Sequence, residues 1–202
     1  MDLKGKHLIL CSNSPRRQDL LHGLGVDFEV DTCTDFQESF VPGTPPDKLP
    51  ELMSRGKSLG FHRPLKEDEI LITADTLVIL PAQNGAPASI LGKPKDREDA
   101  VNMLRHLSGR RHHVVTAVTL RDSHHRRTFK VKTEVWFKEL RDSEIHYYVD
   151  TYKPFDKAGA YAIQEWIGYV GITRIAGSYF NVVGFPVQRV YEALIRFIDG
   201  GN

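Results

Sequence analysis

Apolar and polar positions along this chain follow two rhythms, one of strands and one of helices. His7 to Cys11 is a short apolar run of the kind a buried strand shows, and Val26 to Val30 is a second strand candidate. Between them Ser14-Pro15 opens a helix, with Ser at the N-cap and Pro at the first helical position, carrying Leu20, Leu21 and Leu24. A second helix is expected from about Asp47 to His62, with Leu52 and Leu59 facing inward. Glu69 to Leu80 is strand-rich, and Asn84-Gly85 turns the chain back into Ala88 to Leu91. Asp96 caps a helix bearing Val101, Leu104 and Leu107, which Gly109 ends. His112 to Leu120 and Thr128 to Phe137 are alternating and rich in β-branched residues, with Asp122-Ser123 in the turn between them. Asp142 starts another helix, and the last opens at Pro186 with Val187, Val190, Tyr191, Leu194, Ile195 and Ile198 at helical spacing. Strands and helices mixed in this way predict an α/β or α+β sheet with helices packed on it.

Composition narrows the class. The 202 residues hold 27 Lys and Arg against 26 Asp and Glu, a net charge of +1, which excludes a chain that is basic or acidic throughout. Hydrophobic residues make up 41%, enough for a core that needs neither metal nor disulfide to fold. Only Cys11 and Cys33 are present, no disulfide framework. The densest breaker cluster, Pro42-Gly43-Thr44-Pro45-Pro46, is too short for an interdomain linker, so residues 1–202 are expected to form one domain. The opening apolar run is too short for a signal segment. The longest uncharged stretch, Ile175 to Gln188, is too short and too interrupted to cross a bilayer. The expectation is a soluble, cytoplasmic protein.

Candidate chemistry begins in the first loop, Cys11-Ser12-Asn13-Ser14-Pro15-Arg16-Arg17. A helix start after a buried strand offers free backbone N–H groups and the positive end of the helix dipole. Ser12 and Ser14 add hydroxyl donors, and Arg16 and Arg17 add forks that suit phosphate oxygens, so the loop reads as a phosphate cradle. A rival reading uses the same residues. Cys11 and Arg17 have the spacing of cysteine-dependent phosphatases, in which a thiolate attacks phosphorus. Against it, no glycine lies between them, and Gln18 stands where such enzymes place a hydroxyl.

Further along, Ile70-Leu71-Ile72-Thr73-Ala74-Asp75-Thr76 brings a carboxylate onto an apolar strand that runs on to Leu80 instead of turning. Asp75 is therefore a candidate metal ligand or general base. Lys57 and Lys93, in Leu91-Gly92-Lys93-Pro94, read alone as ordinary solvated lysines. In the run from Phe155 to Gln164, small residues crowd around Lys157, Tyr161 and Gln164, and Gln164 has the amide to read a nucleobase edge.

The segments SNSPRRQDLL, ADT, GKPKDREDAVNMLRHLSG, FDKAGAYAIQ and GSYFNVVGFP, in that order and over nearly the whole chain, resemble the Maf family of nucleoside triphosphate pyrophosphatases. The resemblance implies an α/β fold like that of the inosine triphosphatases, a long bent mixed β-sheet flanked by helices, with two lobes around a central cleft. It places the substrate-discriminating positions on Arg16, Thr76 and Gln164, and this trio looks like the dTTP and UTP branch. The branch acting on 7-methyl-GTP carries Trp, Gln and Glu there. It puts the acid–base role on Asp75, phosphate contacts on Ser12, Arg16, Arg17, Lys57 and Lys93, and an Mg²⁺ or Mn²⁺ ion on Asp75 and Glu38. Gln37 stands where the family has Asp, Ala162 replaces a usual glycine, and Trp166 is bulkier than the usual residue. The implied reaction is water attack on the α-phosphorus, giving a nucleoside monophosphate and pyrophosphate, in a homodimer. A nucleotide-binding regulator of cell division without turnover is the alternative, and the carboxylate of Asp75 argues against it, because a pure anion binder gains nothing from one unless a metal is present.

Between Arg105 and Lys132 the chain holds six Arg, two Lys and five His against the single acid Asp122. A nucleic-acid patch and a solvated hairpin whose charges discourage edge pairing both fit. The aromatic residues of a single-strand platform are nearly absent, with Phe129 alone, so a hairpin with no stable nucleic-acid complex is expected. The adjacent histidine pairs point to opposite faces of a strand and read as no zinc site.

Overall fold

The computed structural model describes residues 2–37, 39, 43–83 and 87–200. In chain order the elements are β1 (His7–Cys11), α1 (Pro15–His22), β2 (Phe28–Val30), α2 (Leu49–Leu59), β3 (Glu69–Leu80), β4 (Ser89–Leu91), α3 (Arg97–Leu107), β5 (Arg111–Arg121), β6 (Arg126–Phe137), α4 (Asp142–Tyr152), α5 (Trp166–Gly171), β7 (Ile172–Ala176), α6 (Tyr179–Val183) and α7 (Val187–Ile198). The strands form one mixed sheet of seven in the order β2-β1-β3-β5-β6-β7, with β4 on β3. The expected α/β class is the observed one. The Asn84-Gly85 turn lies outside the described residues. No helix among the described residues is long and apolar enough to cross a membrane.

The chain divides into two compact units. The first comprises residues 1–75, 116–131 and 184–202, the second residues 76–115 and 132–183. Strands β3, β5 and β6 each supply a segment to both.

In the first unit β1 runs parallel to both β2 and β3, with Leu8 beside Phe28 and Ile70, and Cys11 beside Thr73. Both faces of these strands are covered, which is why β1 and the start of β3 read as unbroken apolar runs. Leu8, Leu10, Ile70 and Ile72 face one way and pack with Leu21 of α1 and with Val190 and Leu194 of α7. Ile9, Cys11 and Leu71 face the other way, with Phe61 and Leu65. Helix α2 departs from expectation. It starts at Leu49 after a short 3-10 turn, ends at Leu59, and leaves Leu52 and Leu59 exposed. Its buried stripe is Leu49, Pro50, Met53, Ser54 and Ser58. Polar partners on β3 and β5 hold Ser54 inside, so the helix is rotated away from Leu52 and Leu59. Phe36 fixes it from outside: a Cβ on Gly56 would lie 2.1 Å from the Phe36 ring.

The second unit packs Val78, Leu104, Val114, Val135, Tyr148 and Ile167 into one core. Asp96 caps α3 as expected, accepting from the Asp99 N–H at 2.9 Å. Helices α5 and α6 and strand β7 are additions to the expected set. Strand β7 pairs antiparallel with β6, Val135 beside Ile175.

Glu69, at the start of β3, accepts both arms of the Arg63 guanidinium at 2.7 and 3.0 Å, and the Lys66 N–H at 2.9 Å. These donors, Arg63 foremost, hold its carboxyl at about 2, below its ordinary 4.5. A carboxyl depressed on folding stabilises the fold above its unfolded pKa, and that stabilisation is lost as pH falls through the folded one. Urea unfolding of wild type and Glu69→Gln should therefore show a stability gap at neutral pH that closes as pH falls from 4.5 toward 2. A gap independent of pH contradicts this role.

Candidate functional site

Parity along β3 places the chemistry. Leu71, Thr73 and Asp75 are successive odd positions and share the face that α2 covers. On α2, Ser54 and Lys57 are three apart and share one stripe. The two elements meet in matched polar rungs. Ser54 Oγ donates to the Thr73 carbonyl at 3.1 Å and lies 2.8 Å from Thr119 Oγ1, while Thr73 Oγ1 donates to the Ser54 carbonyl at 2.7 Å. One step on, Lys57 Nζ donates to Asp75 Oδ1 at 2.7 Å, with side chains 22% and 15% exposed. The buried rung makes the half-open one possible, because it fixes the register of helix on strand.

The first loop completes this cluster in the first unit. Because Cys11 pairs with Thr73, the chain leaving β1 emerges at the same carboxyl edge as Ala74 and Asp75. Such edges of parallel strands are where α/β sheets hold ligands. Ser14 occupies the N-cap of α1 and Pro15 follows, but the Ser14 hydroxyl makes no capping bond. The Ser14 N–H turns instead to Ser12 Oγ at 3.3 Å. Gln18 Nε2 donates to the Ser12 carbonyl at 3.2 Å, which tightens the loop onto the helix.

Arg17 is the strut of this edge. Its Nη1 donates to the Ala74 carbonyl at 3.0 Å and to Ser12 Oγ at 3.3 Å, and its Nε donates to the Gly184 carbonyl at 3.0 Å. Burial pulls the guanidinium down to about 10, with Asp75 opposing, so it stays charged at neutral pH. Of the two arginines expected at phosphates, this one is committed to protein oxygens that position the residue before Asp75. Its half-buried neighbour Arg16 sits in the first turn of α1.

Cys11 differs from a phosphatase nucleophile. It is 6% exposed among Ile9, Phe61, Leu65 and Leu71, and burial pushes its thiol up. An attacking thiolate needs the opposite shift.

Three expected site residues belong to the second unit. Thr76 follows Asp75 directly on β3, and Lys93 is exposed after β4. Gln164 Oε1 is buried without a hydrogen-bond partner among the described residues, although its backbone carbonyl accepts from Tyr169 at 3.0 Å. A buried unpaired amide oxygen is costly and calls for a donor. Glu38 lies outside the described residues.

The sequence reading missed the network that holds Gln164. Lys157, 9% exposed, pairs with Glu165 at 3.3 Å and Asp156 at 2.8 Å. Tyr148 Oη donates to Glu165 and accepts from the Ala162 N–H at 3.1 Å. Burial and Glu165 push the Tyr148 phenol up, so it remains a donor. Gly159 adopts φ +69° and presses on Val78, where a Cβ would lie 2.9 Å away. Small residues around Lys157 were the visible signal. Trp166 packs edge-on against Tyr147, ring centroids 4.8 Å apart.

The basic run contributes ion pairs within each unit: Lys130 with Asp47 at 3.0 Å and Glu51 at 3.3 Å, His124 with Glu67 at 3.0 Å, and Arg105 with Asp142 at 3.0 Å.

Arg17→Lys tests the strut. One ammonium does not span Ala74, Ser12 and Gly184, so stability should fall by about 1–3 kcal/mol in denaturant unfolding. Wild-type stability contradicts the role.

A family profile described as Maf-like protein matches residues 7–197. A dTTP/UTP pyrophosphatase of Bacteroides thetaiotaomicron is 46% identical over 93% of this chain and 94% of its own. One of Porphyromonas gingivalis is 45% identical over 97% of this chain and 96% of its own. Among solved structures, a HAM1 protein from Coxiella burnetii aligns over 95% of this chain and 99% of its own, with 13% identity and a TM-score of 0.47. The profile over residues 7–197 and relatives at about 45% identity, together with the Ser12–Arg17 loop and Asp75 at one strand edge, leave one assignment: the chain belongs to the Maf-like protein family.

Proposed function

We propose that this chain is a nucleoside triphosphate pyrophosphatase that takes dTTP and UTP, releasing the nucleoside monophosphate and pyrophosphate in the cytoplasm. The observation that carries the reading is the Lys57–Asp75 pair at 2.7 Å, on the carboxyl edge where the Ser12–Arg17 loop opens α1. Full-length relatives named dTTP/UTP pyrophosphatase support it.

A triphosphate carries about four negative charges, and its hydrolysis depends on neutralising them and aligning a water. Arg16, Lys57 and Lys93 supply cationic groups for the phosphate oxygens, and Ser12 and Ser14 supply polar ones. Arg17 acts mainly by fixing Ala74 and hence Asp75. Asp75 takes the proton of the attacking water. The new bond forms between the water oxygen and the α-phosphorus, and the bond to the α–β bridging oxygen breaks, so pyrophosphate leaves with those electrons.

The residues present suit an oxygen-seeking cation. A carboxylate offers about four acceptor positions, and Mg²⁺ is commonly held by one or two carboxylates with substrate phosphates. Asp75 would hold Mg²⁺ or Mn²⁺, with Glu38 as second ligand, and the ion would offset phosphate charge. Gln164 reads the base. Its amide matches the O4 and N3–H of uracil and thymine, and the unpaired Oε1 is the acceptor that N3–H requires. Thr76 stands beside Asp75 as the second discriminating position. The assembly is proposed to be a homodimer.

Asp75→Asn keeps the shape and removes the base. Pyrophosphate release from dTTP and UTP should fall by about 10²- to 10⁴-fold in kcat. The thermal unfolding of the variant should stay close to wild type. Turnover at the wild-type rate overturns this assignment.

A further inference from the structure

Outside the cluster just described, the first unit gathers three potential metal ligands at its surface. Asp31 follows β2, Cys33 lies two residues on, and His62 follows α2. One ligand atom from each lies within 4.8 Å of the other two. His62 Nε2 is 2.9 Å from Asp31 Oδ2, and His62 and Cys33 are exposed. Asp75 belongs to a different cluster, where it pairs with Lys57 at 2.7 Å.

The backbone holds these three side chains together before any ion arrives. Thr34 and Phe61 form an antiparallel bridge. The Asp35 N–H donates to the Gly60 carbonyl at 2.7 Å, and the His62 N–H donates to the Cys33 carbonyl at 3.3 Å. The Cys33 N–H in turn donates to Asp31 Oδ1 at 3.1 Å, which orients the carboxylate. Phe36 locks the segment against Gly56 and Gly60. Two connecting segments pinned in this way present O, S and N donors around one isolated bridge, and the conformational cost of gathering them is already met by the fold.

We propose that Asp31, Cys33 and His62 form a binding site for a divalent transition metal of the zinc type, separate from the Mg²⁺ or Mn²⁺ site. Carboxylate, thiolate and imidazole are zinc's ordinary ligands, and three of them leave a fourth tetrahedral position for water. Tetrahedral bonds of about 2.0–2.3 Å need the donors roughly 3.5 Å apart, so closure is about an ångström of side-chain movement at exposed groups. Binding displaces the Cys33 thiol proton to solvent, so the thiolate is the sulfur ligand. The ion would staple the segment after β2 to the end of α2. Thr34 Oγ1 already donates to the Lys57 carbonyl at 3.3 Å, so the staple reaches the helix end that carries Lys57.

The test uses the full chain, reduced, with Co²⁺ as probe in excess Mg²⁺. Co²⁺ should give a thiolate-to-metal absorption band in the near ultraviolet, saturating at one ion per chain and displaced by Zn²⁺. Cys33→Ser should abolish the band, and His62→Ala and Asp31→Ala should weaken Zn²⁺ binding by at least about tenfold. Asp75→Asn and Cys11→Ala should leave the band unchanged. Saturating Zn²⁺ should raise the unfolding temperature of wild type but not of Cys33→Ser. No band at stoichiometric Co²⁺, a band that survives Cys33→Ser, or undiminished Zn²⁺ binding in His62→Ala overturns the proposal.

Discussion

The register of α2 on β3 governs everything placed at the candidate site. It is set by a buried exchange of hydrogen bonds, Ser54 to the Thr73 carbonyl and Thr73 to the Ser54 carbonyl, with Thr119 closing the group. Each such bond adds little net stability, but leaving any of these buried groups unpaired costs more than making the bond gains. The exchange therefore acts as a register pin. A helix turned toward Leu52 and Leu59 would bury two more leucines and strand the polar groups of Thr73 and Thr119. The observed rotation satisfies them, and it delivers Lys57 to Asp75 one step further along.

Arg17 extends the same logic to the neighbouring edge. A cation on three protein oxygens costs desolvation, and its lowered pKa records that cost. What it secures is position: the loop after β1, the carbonyl before Asp75 and the chain entering α7 share one fork. Of two adjacent arginines in a phosphate-like loop, Arg17 builds the edge, and Arg16 beside it is the one proposed for the phosphates. Near-neutral composition is compatible with a polyphosphate substrate for this reason. A few cations set by geometry do what overall charge does not.

Much of this was legible in the sequence. The strand-loop-helix of Cys11 to Arg17, the strand running on through Asp75 and the Asp96 cap all follow from local pattern, and the structure has each of them. The inward face of α2 was not legible, because an apolar count favours leucines over a serine, Ser54, whose partners sit on distant strands. Strand β7 was missed because its five residues are half-exposed and flanked by glycines, with no clean alternation. The Lys157–Glu165–Tyr148 network joins three segments that nothing local connects. The same holds for Asp31, Cys33 and His62, brought together by a single bridge between Thr34 and Phe61. Local rules recover elements and their caps, whereas polar groups that meet across the fold emerge only with the fold.

The central claim is water attack at the α-phosphorus, assisted by Asp75. Its most direct test is hydrolysis of dTTP in water enriched in oxygen-18, with mass analysis of both products. One labelled oxygen in the thymidine monophosphate and none in the pyrophosphate is the expected result. Label in pyrophosphate or in orthophosphate, with unlabelled nucleotide, contradicts it.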